Sequence, residues 1–344
     1  MIRLPRFRHH APPTVDEAAR ILAGEGPEAM ILAGGTDLLP NMKRRQQTPR
    51  TLVSLRDIDK LKRIPDGADN VLGAGSTLTE IVESSSIRES YAGLWQAAVQ
   101  VATPHLRNMA TIGGNLCLDT RCTYYDQSFE WRKAISFCMK KDGETCWVAP
   151  SSKRCLAVSS SDTAPALVSL GAEVVLHSSE GERVLALDDL YRNDGIDYAT
   201  RRPDEILTEV RLPSPGGVRS TYWKLRRRGS FDFPVLGVAA AAGLSPDGTV
   251  ERARIVLGAV ASRPMVATEA ATSLEGRKLT DDLIAEVAEQ AAKVAKPMDN
   301  TDFTLHWRKR VASEFVAYAL KELRGDDMRE TRQRVARWDL LPPA

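Results

Sequence analysis

Residues 31–39 read ILAGGTDLL, and residues 110–116 read ATIGGNL. The first stretch is a short apolar run, Met30 to Ala33, that ends in Gly34-Gly35-Thr36-Asp37 and reads as a buried strand running into a loop. The second repeats the pattern, with Gly113-Gly114 between Thr111-Ile112 and Asn115. Paired glycines let a backbone approach a ligand closely and turn its N–H groups toward an anion. The Thr36 hydroxyl is suited to donate to a phosphate oxygen. Two such loops can clamp the two phosphates of a dinucleotide from opposite sides. Paired glycines also make ordinary turns, but two loops of one grammar in one chain favour the ligand. A third glycine segment, Gly73-Ala74-Gly75-Ser76-Thr77-Leu78, begins like a dinucleotide fingerprint. It has Leu78 at the third glycine position and no acid at the end of a following strand, so a nicotinamide-type site is rejected.

Around these loops the chain alternates helix and strand. Thr14 caps the amphipathic run VDEAARILA, with Glu17 placed for a capping box. TLVSL (51–55) and NVLGAG (70–75) read as strands, and helices are expected near Leu78 and over Leu94 to Ala102. SSSDTAPALVSLGAEVVLH gives a loop, a helix and a strand, and Ile206 to Leu212 a further strand. Pro213-Ser214-Pro215-Gly216-Gly217 is the clearest linker. Beyond it, VLGVAAAAGL and ARIVLGAV read as antiparallel strands, followed by helices around Asp281–Ala295 and Arg308–Leu323. The fold class is α+β. The expected divisions are 1–58, 59–214, 218–325 and a charged tail, 326–344, that is either an arm on a partner or a frayed end.

The chain has 344 residues, 43% of them hydrophobic, which is enough for two or three domains. Its 47 basic and 45 acidic residues nearly balance, which argues against a nucleic-acid surface. Arg226-Arg227-Arg228 reads as a solvated edge or a local phosphate contact. No apolar run of about 18 residues suggests a membrane span. The basic N-terminus lacks the apolar segment of a secretory signal, so a cytoplasmic location is expected. All five cysteines, Cys117, Cys122, Cys138, Cys146 and Cys155, fall within 39 consecutive residues. In a reducing compartment such clustering favours a metal site over disulfides. Cys122, Cys138, Cys146 and Cys155 are separated by 15, 7 and 8 residues, which matches no standard zinc or ferredoxin signature. A 4Fe–4S cluster, a zinc ion and unligated core thiols all remain open on spacing alone. Cys117 reads as a small buried hydrophobe.

Taken together, AGGTDLLPNMK, GAGSTLTEI, LRNMATIGGNL, SSDTAPALVSLGA and GAVASRPMVATEA resemble the FAD-binding medium subunits of the xanthine oxidase and carbon monoxide dehydrogenase family. The resemblance covers nearly the whole chain and keeps the motif order. It implies a two-subdomain FAD-binding region of the PCMH type and a separate α+β C-terminal domain. Carried over by motif, Leu32, Ala33, Gly34, Gly35, Thr36 and Asp37, with Thr111, Ile112, Gly113, Gly114 and Asn115, would hold the FAD pyrophosphate and adjacent groups. Asp162 would bond the flavin or its sugar chain, and Lys224 would stand near the flavin. The segment from about 118 to 156 departs from the ordinary family pattern. With its flanks it is similar to the 4-hydroxybenzoyl-CoA reductase branch, in which such an insert carries a 4Fe–4S cluster. That likeness implies Cys122, Cys138, Cys146 and Cys155 as ligands. It also implies a molybdopterin-binding large partner, a 2Fe–2S small partner and a ferredoxin-like electron donor. No catalytic acid or base is expected in this chain, and His9, His10, His105, His177 and His306 form no metal or triad motif.

Overall fold

The computed structural model describes residues 3–66 and 69–336. Three sheets follow one another along the chain. In the first, β1 (Arg8–His10), β2 (Ala29–Leu32) and β3 (Thr51–Ser54) are all parallel, in the order β1-β3-β2. The helix Val15–Glu25 buries Val15, Ala18, Ala19 and Leu22 against Val53 and Ile58, as its spacing requires. Thr14 caps this helix by accepting from the Glu17 N–H. The reciprocal capping box forms at Thr77 and Glu80 instead. The edge strand β1 has no apolar alternation to announce it, since it is held only by pairing with β3.

The second sheet is antiparallel, in the order β4-β7-β5-β6, from β4 (Val71–Gly73), β5 (Glu173–Ser178), β6 (Gly181–Ala186) and β7 (Ile206–Arg211). The expected helix near Leu78 spans Leu78–Glu83. The one expected to reach Ala102 spans Ala92–Val99 with Gln100 as its C-cap, and Ala102 beyond it has a left-handed φ of 46°.

The third sheet is β11-β10-β9-β8, antiparallel throughout, from β8 (Val218–Leu225), β9 (Leu236–Leu244), β10 (Val250–Gly258) and β11 (Met265–Val266). In β9, Val238, Ala240 and Ala242 join the core under the helices Asp281–Ala292 and Leu305–Arg324. Ala239, with Tyr222 and Val256, joins the core of the second segment. Both faces of this sheet are therefore covered, which is why β9 reads as an unbroken apolar run. The small alanines let the helix Thr163–Leu170 close in, and Gly258 gives way to Pro165, which would lie 2.7 Å from a Cβ there.

The first part of the charged tail, up to residue 336, is packed on the third sheet. The helix Arg329–Ala336 folds back, and the buried Arg332 stacks 4.2 Å from the Trp223 ring and donates to Glu322 at 2.9 Å. Residues 337–344 lie outside the described residues. Among the described residues, no helix is long and apolar enough to cross a membrane.

Candidate functional site

The first glycine loop leaves β2 and enters the helix Leu38–Lys43. Gly35 has φ 73°, a conformation that glycine adopts without strain. The N–H groups of Gly34, Gly35, Thr36 and Asp37 donate to no described residue. Backbone donors need partners, so a run of free ones at the end of a strand fits an anionic diphosphate. Leu32 and Ala33 frame the loop on the strand side.

The second loop is built differently. Ile112 N donates to Ser76 O at 3.0 Å, Gly113 N to Ala74 O at 2.9 Å, and Asn115 N to Thr111 O at 2.9 Å. Thr111 caps the helix Ile112–Leu116 by accepting from Gly114 N at 3.1 Å. A Cβ on Gly113 would lie 2.9 Å from Ala74 O, and one on Gly34 would lie 1.7 Å from Met109 O. These two glycines are therefore small because protein backbone approaches them. Only Gly114 is exposed and open apart from Thr111 Oγ1 at 3.1 Å.

Asn115 is buried, and its Oδ1 accepts from Ser161 Oγ at 2.7 Å and Thr163 Oγ1 at 2.6 Å. This joins the second loop to the SSSD segment. The Ser160 hydroxyl beside it is buried without a hydrogen-bond partner among the described residues. Asp162 accepts from Lys224 Nζ at 2.8 Å and from the Tyr222 hydroxyl at 2.7 Å. Lys224 also donates to Gln100 O at 3.1 Å and Asp232 O at 2.9 Å. All three of its ammonium hydrogens are thus committed to protein. Burial pushes the Asp162 carboxyl up and the Lys224 ammonium down, each resisted by the other's charge. The structure brings these two together: with three protein acceptors, the Lys224 ammonium ties the SSSD loop to Gln100 and Asp232.

Sequence reading missed Arg121. It is buried, ion-paired with Asp37, and donates to Asp126 at 2.9 Å and Asn41 at 3.1 Å. Asp37 is thereby tied to the cysteine segment. No motif marks Arg121; its only signal is a charge immediately before Cys122. The segment is anchored again where the buried Arg132 donates to Arg44 O and Arg45 O at the end of the helix Leu38–Lys43. Of the arginine triplet, Arg227 pairs with Asp302 and Arg228 with Asp232, while Arg226 is buried.

Cys122, Cys138, Cys146 and Cys155 are all buried, free of disulfides, and line one small cavity. Burial pushes the Cys122 thiol up to about 12 and the Cys155 thiol up to about 11. Backbone N–H groups of Tyr124 and Tyr125 at Cys122, and of Ala157 at Cys155, pull the other way. Among the described residues, no three His, Cys, Asp or Glu side chains stand close enough to hold a single metal ion. Cys117 is apart from this group, half-buried against the second core.

The comparisons with known proteins agree with this layout. Residues 5–215 match the FAD binding domain in molybdopterin dehydrogenase, and residues 220–323 match the CO dehydrogenase flavoprotein C-terminal domain. The FAD-binding subunit of an aldehyde oxidoreductase from Escherichia coli (strain K12) is 33% identical over 327 residues, covering 91% of this chain and 98% of the relative. The carbon monoxide dehydrogenase medium chain of Afipia carboxidovorans is 28% identical, covering 92% and 96%. Reconstituted CO dehydrogenase from Oligotropha carboxidovorans superposes with a TM-score of 0.77 at 27% identity, covering 94% and 99%. The names of these relatives speak of FAD, aldehyde and carbon monoxide, not of an iron–sulfur cluster or an aryl-CoA. With a PCMH-type FAD-binding region and a CO dehydrogenase-type C-terminal domain along its length, the chain belongs to the family of FAD-binding subunits of molybdenum hydroxylases.

Proposed function

We propose that this chain is the FAD- and iron–sulfur-carrying electron-transfer subunit of a molybdenum hydroxylase, working beside a molybdopterin-binding large subunit and a 2Fe–2S small subunit. The observation that carries the flavin part is the row of free N–H groups from Gly34 to Asp37. These receive the pyrophosphate, with the Thr36 hydroxyl beside them, while Gly114 gives the ligand room from the second loop. Asn115, Asp162 and Lys224 hold the SSSD loop against that site. Bound FAD supplies the exchange between one-electron carriers and two-electron partners; the chain supplies placement and electrostatics.

The four buried cysteines ligate one 4Fe–4S cluster in this reading. Burial holds Cys122 and Cys155 as thiols, offset in part by backbone N–H groups directed at them, so binding the cluster would release their protons. Zinc would draw four sulfurs to about 2.3 Å from one ion. What supports one shared group is that all four thiols line the same small cavity.

The direction of electron flow has two readings. The relative at 33% identity favours an oxidising enzyme, in which electrons arrive from the molybdenum side and leave through this chain. The cysteine segment's likeness to the 4-hydroxybenzoyl-CoA reductase branch favours the reverse. There a ferredoxin-like donor supplies electrons for removal of a phenolic hydroxyl from 4-hydroxybenzoyl-CoA. Anaerobically purified chain should be yellow, with one flavin and with iron and acid-labile sulfide at about four atoms each. Stoichiometric zinc without iron would remove the cluster and leave the flavin; a colourless protein that takes up no FAD would leave only a scaffold. Assembled with its partners, oxidation of an aldehyde with a dye acceptor supports the first direction. Turnover of 4-hydroxybenzoyl-CoA with reduced ferredoxin supports the second.

A further inference from the structure

We infer that Lys140 and Asp119 set the reduction potential of the group held by the four cysteines, with Lys140 raising it and Asp119 limiting that rise. The inference rests on the cluster reading above. Both side chains are 6% exposed and form an ion pair of 2.8 Å. Lys140 lines the cavity that the cysteines line, and Asp119 does not. The ammonium also donates to Thr120 Oγ1 at 2.8 Å and to Gly195 O at 2.5 Å.

Gly195 connects that cation to Cys155. Its N–H donates to Cys155 O at 2.9 Å, and a Cβ at this position would lie 2.6 Å from Cys155 Sγ. The residue that walls one cysteine therefore holds the ammonium by its carbonyl. With three acceptors satisfied, and the rings of Tyr125 and Tyr198 at 4.9 and 5.5 Å, the charge is fixed and shielded from water. Asp119 is fixed too, by the Tyr125 hydroxyl at 3.0 Å and Gln47 Nε2 at 3.3 Å.

A cluster gains one negative charge on reduction. A nearby immobile cation favours the reduced form, a nearby anion disfavours it, and buried charges are screened little. If the pair served only to pack the segment, removing either partner would loosen the site in the same sense. If it sets the potential, the two removals act with opposite sign.

The test is an EPR-monitored redox titration of the full chain, prepared anaerobically, as wild type, Lys140→Met and Asp119→Asn, with iron and sulfide measured on each. Lys140→Met should keep its iron and shift the midpoint negative by about tenfold in the reduction equilibrium, ~59 mV for a one-electron couple. Asp119→Asn should shift it positive. Should Lys140→Met fail to fold, the sign of the Asp119→Asn shift decides. Iron-replete variants with unmoved midpoints, or midpoints moved the same way, overturn the inference and leave the cluster in place. A wild type without iron overturns both.

Discussion

In the loop after β2, the N–H groups of Gly34, Gly35, Thr36 and Asp37 donate to no described residue. In the loop of Thr111 to Asn115, those of Ile112, Gly113, Gly114 and Asn115 all have acceptors within the chain. One loop is a donor surface and the other is a joint. The joint binds the β4–Leu78 turn on one side and the SSSD segment on the other. A glycine pair thus meets two different demands: Gly35 supplies a left-handed turn, whereas Gly34 and Gly113 supply absence of bulk where backbone meets backbone.

The hardest way to break the comparison is Gly34→Ala. The new methyl would lie 1.7 Å from Met109 O, with no flexible side chain to give way. Overpacking a core typically costs about 1–3 kcal/mol, and this rigid backbone contact should exceed that. The variant should show a large fall in Tm and in soluble yield, and lose FAD as a consequence. A melt like that of wild type would mean that the two loops do not touch in solution.

Gly114→Val separates ligand from fold. The residue is exposed, and its nearest neighbour is Thr111 Oγ1 at 3.1 Å. A branched side chain there should abolish most FAD binding, read as flavin absorbance per protein. Its Tm should stay near that of FAD-stripped wild type, the proper reference because a bound ligand raises apparent stability. Full FAD occupancy would take the second loop out of the flavin site.

These contrasts explain what could be read in advance. The strands β2, β3, β9 and β10 carried apolar runs of strand length, and the glycine loops carried their own punctuation. The asymmetry of the loops was not legible, because it depends on which carbonyls arrive from Ser76 and Ala74, far away in sequence. Lys224 was placed near the flavin by motif, yet its three acceptors come from three separate segments that no local pattern brings together. Arg121 and Lys140 were invisible for the same reason: a lone cation in a polar segment looks solvated until burial and an acidic partner are seen. The cysteines were conspicuous by clustering, while their shared cavity is a product of folding.

Asn115→Ala probes the joint itself. Removing Oδ1 leaves the buried Ser161 and Thr163 hydroxyls without their acceptor. Such losses cost about 1–3 kcal/mol, so urea midpoints should fall with the slope unchanged. FAD affinity should fall too, because the SSSD loop is released. Unaltered stability would show that this junction does not carry the loop.

The smallest effects sharpen the comparison most, through the two threonines. Thr111 is a helix N-cap whose hydroxyl oxygen accepts from Gly114 N at 3.1 Å. Thr111→Ala should therefore cost about 1 kcal/mol of stability, the usual value of an N-cap. It also frees the Gly114 N–H, turning part of the joint into a donor, so FAD affinity should change little. Thr36 has no described hydrogen-bond partner for its side chain, and its N–H is free as well. Thr36→Ala should leave the Tm of the FAD-free protein unchanged. Its FAD dissociation constant should rise about tenfold, the loss of roughly 1.4 kcal/mol expected for one hydrogen bond to a charged phosphate. Isothermal titration of apoprotein with FAD, paired with melts of the same samples, reads both quantities. Stability lost at Thr36 and affinity lost at Thr111 would reverse the assignment of donor surface and joint.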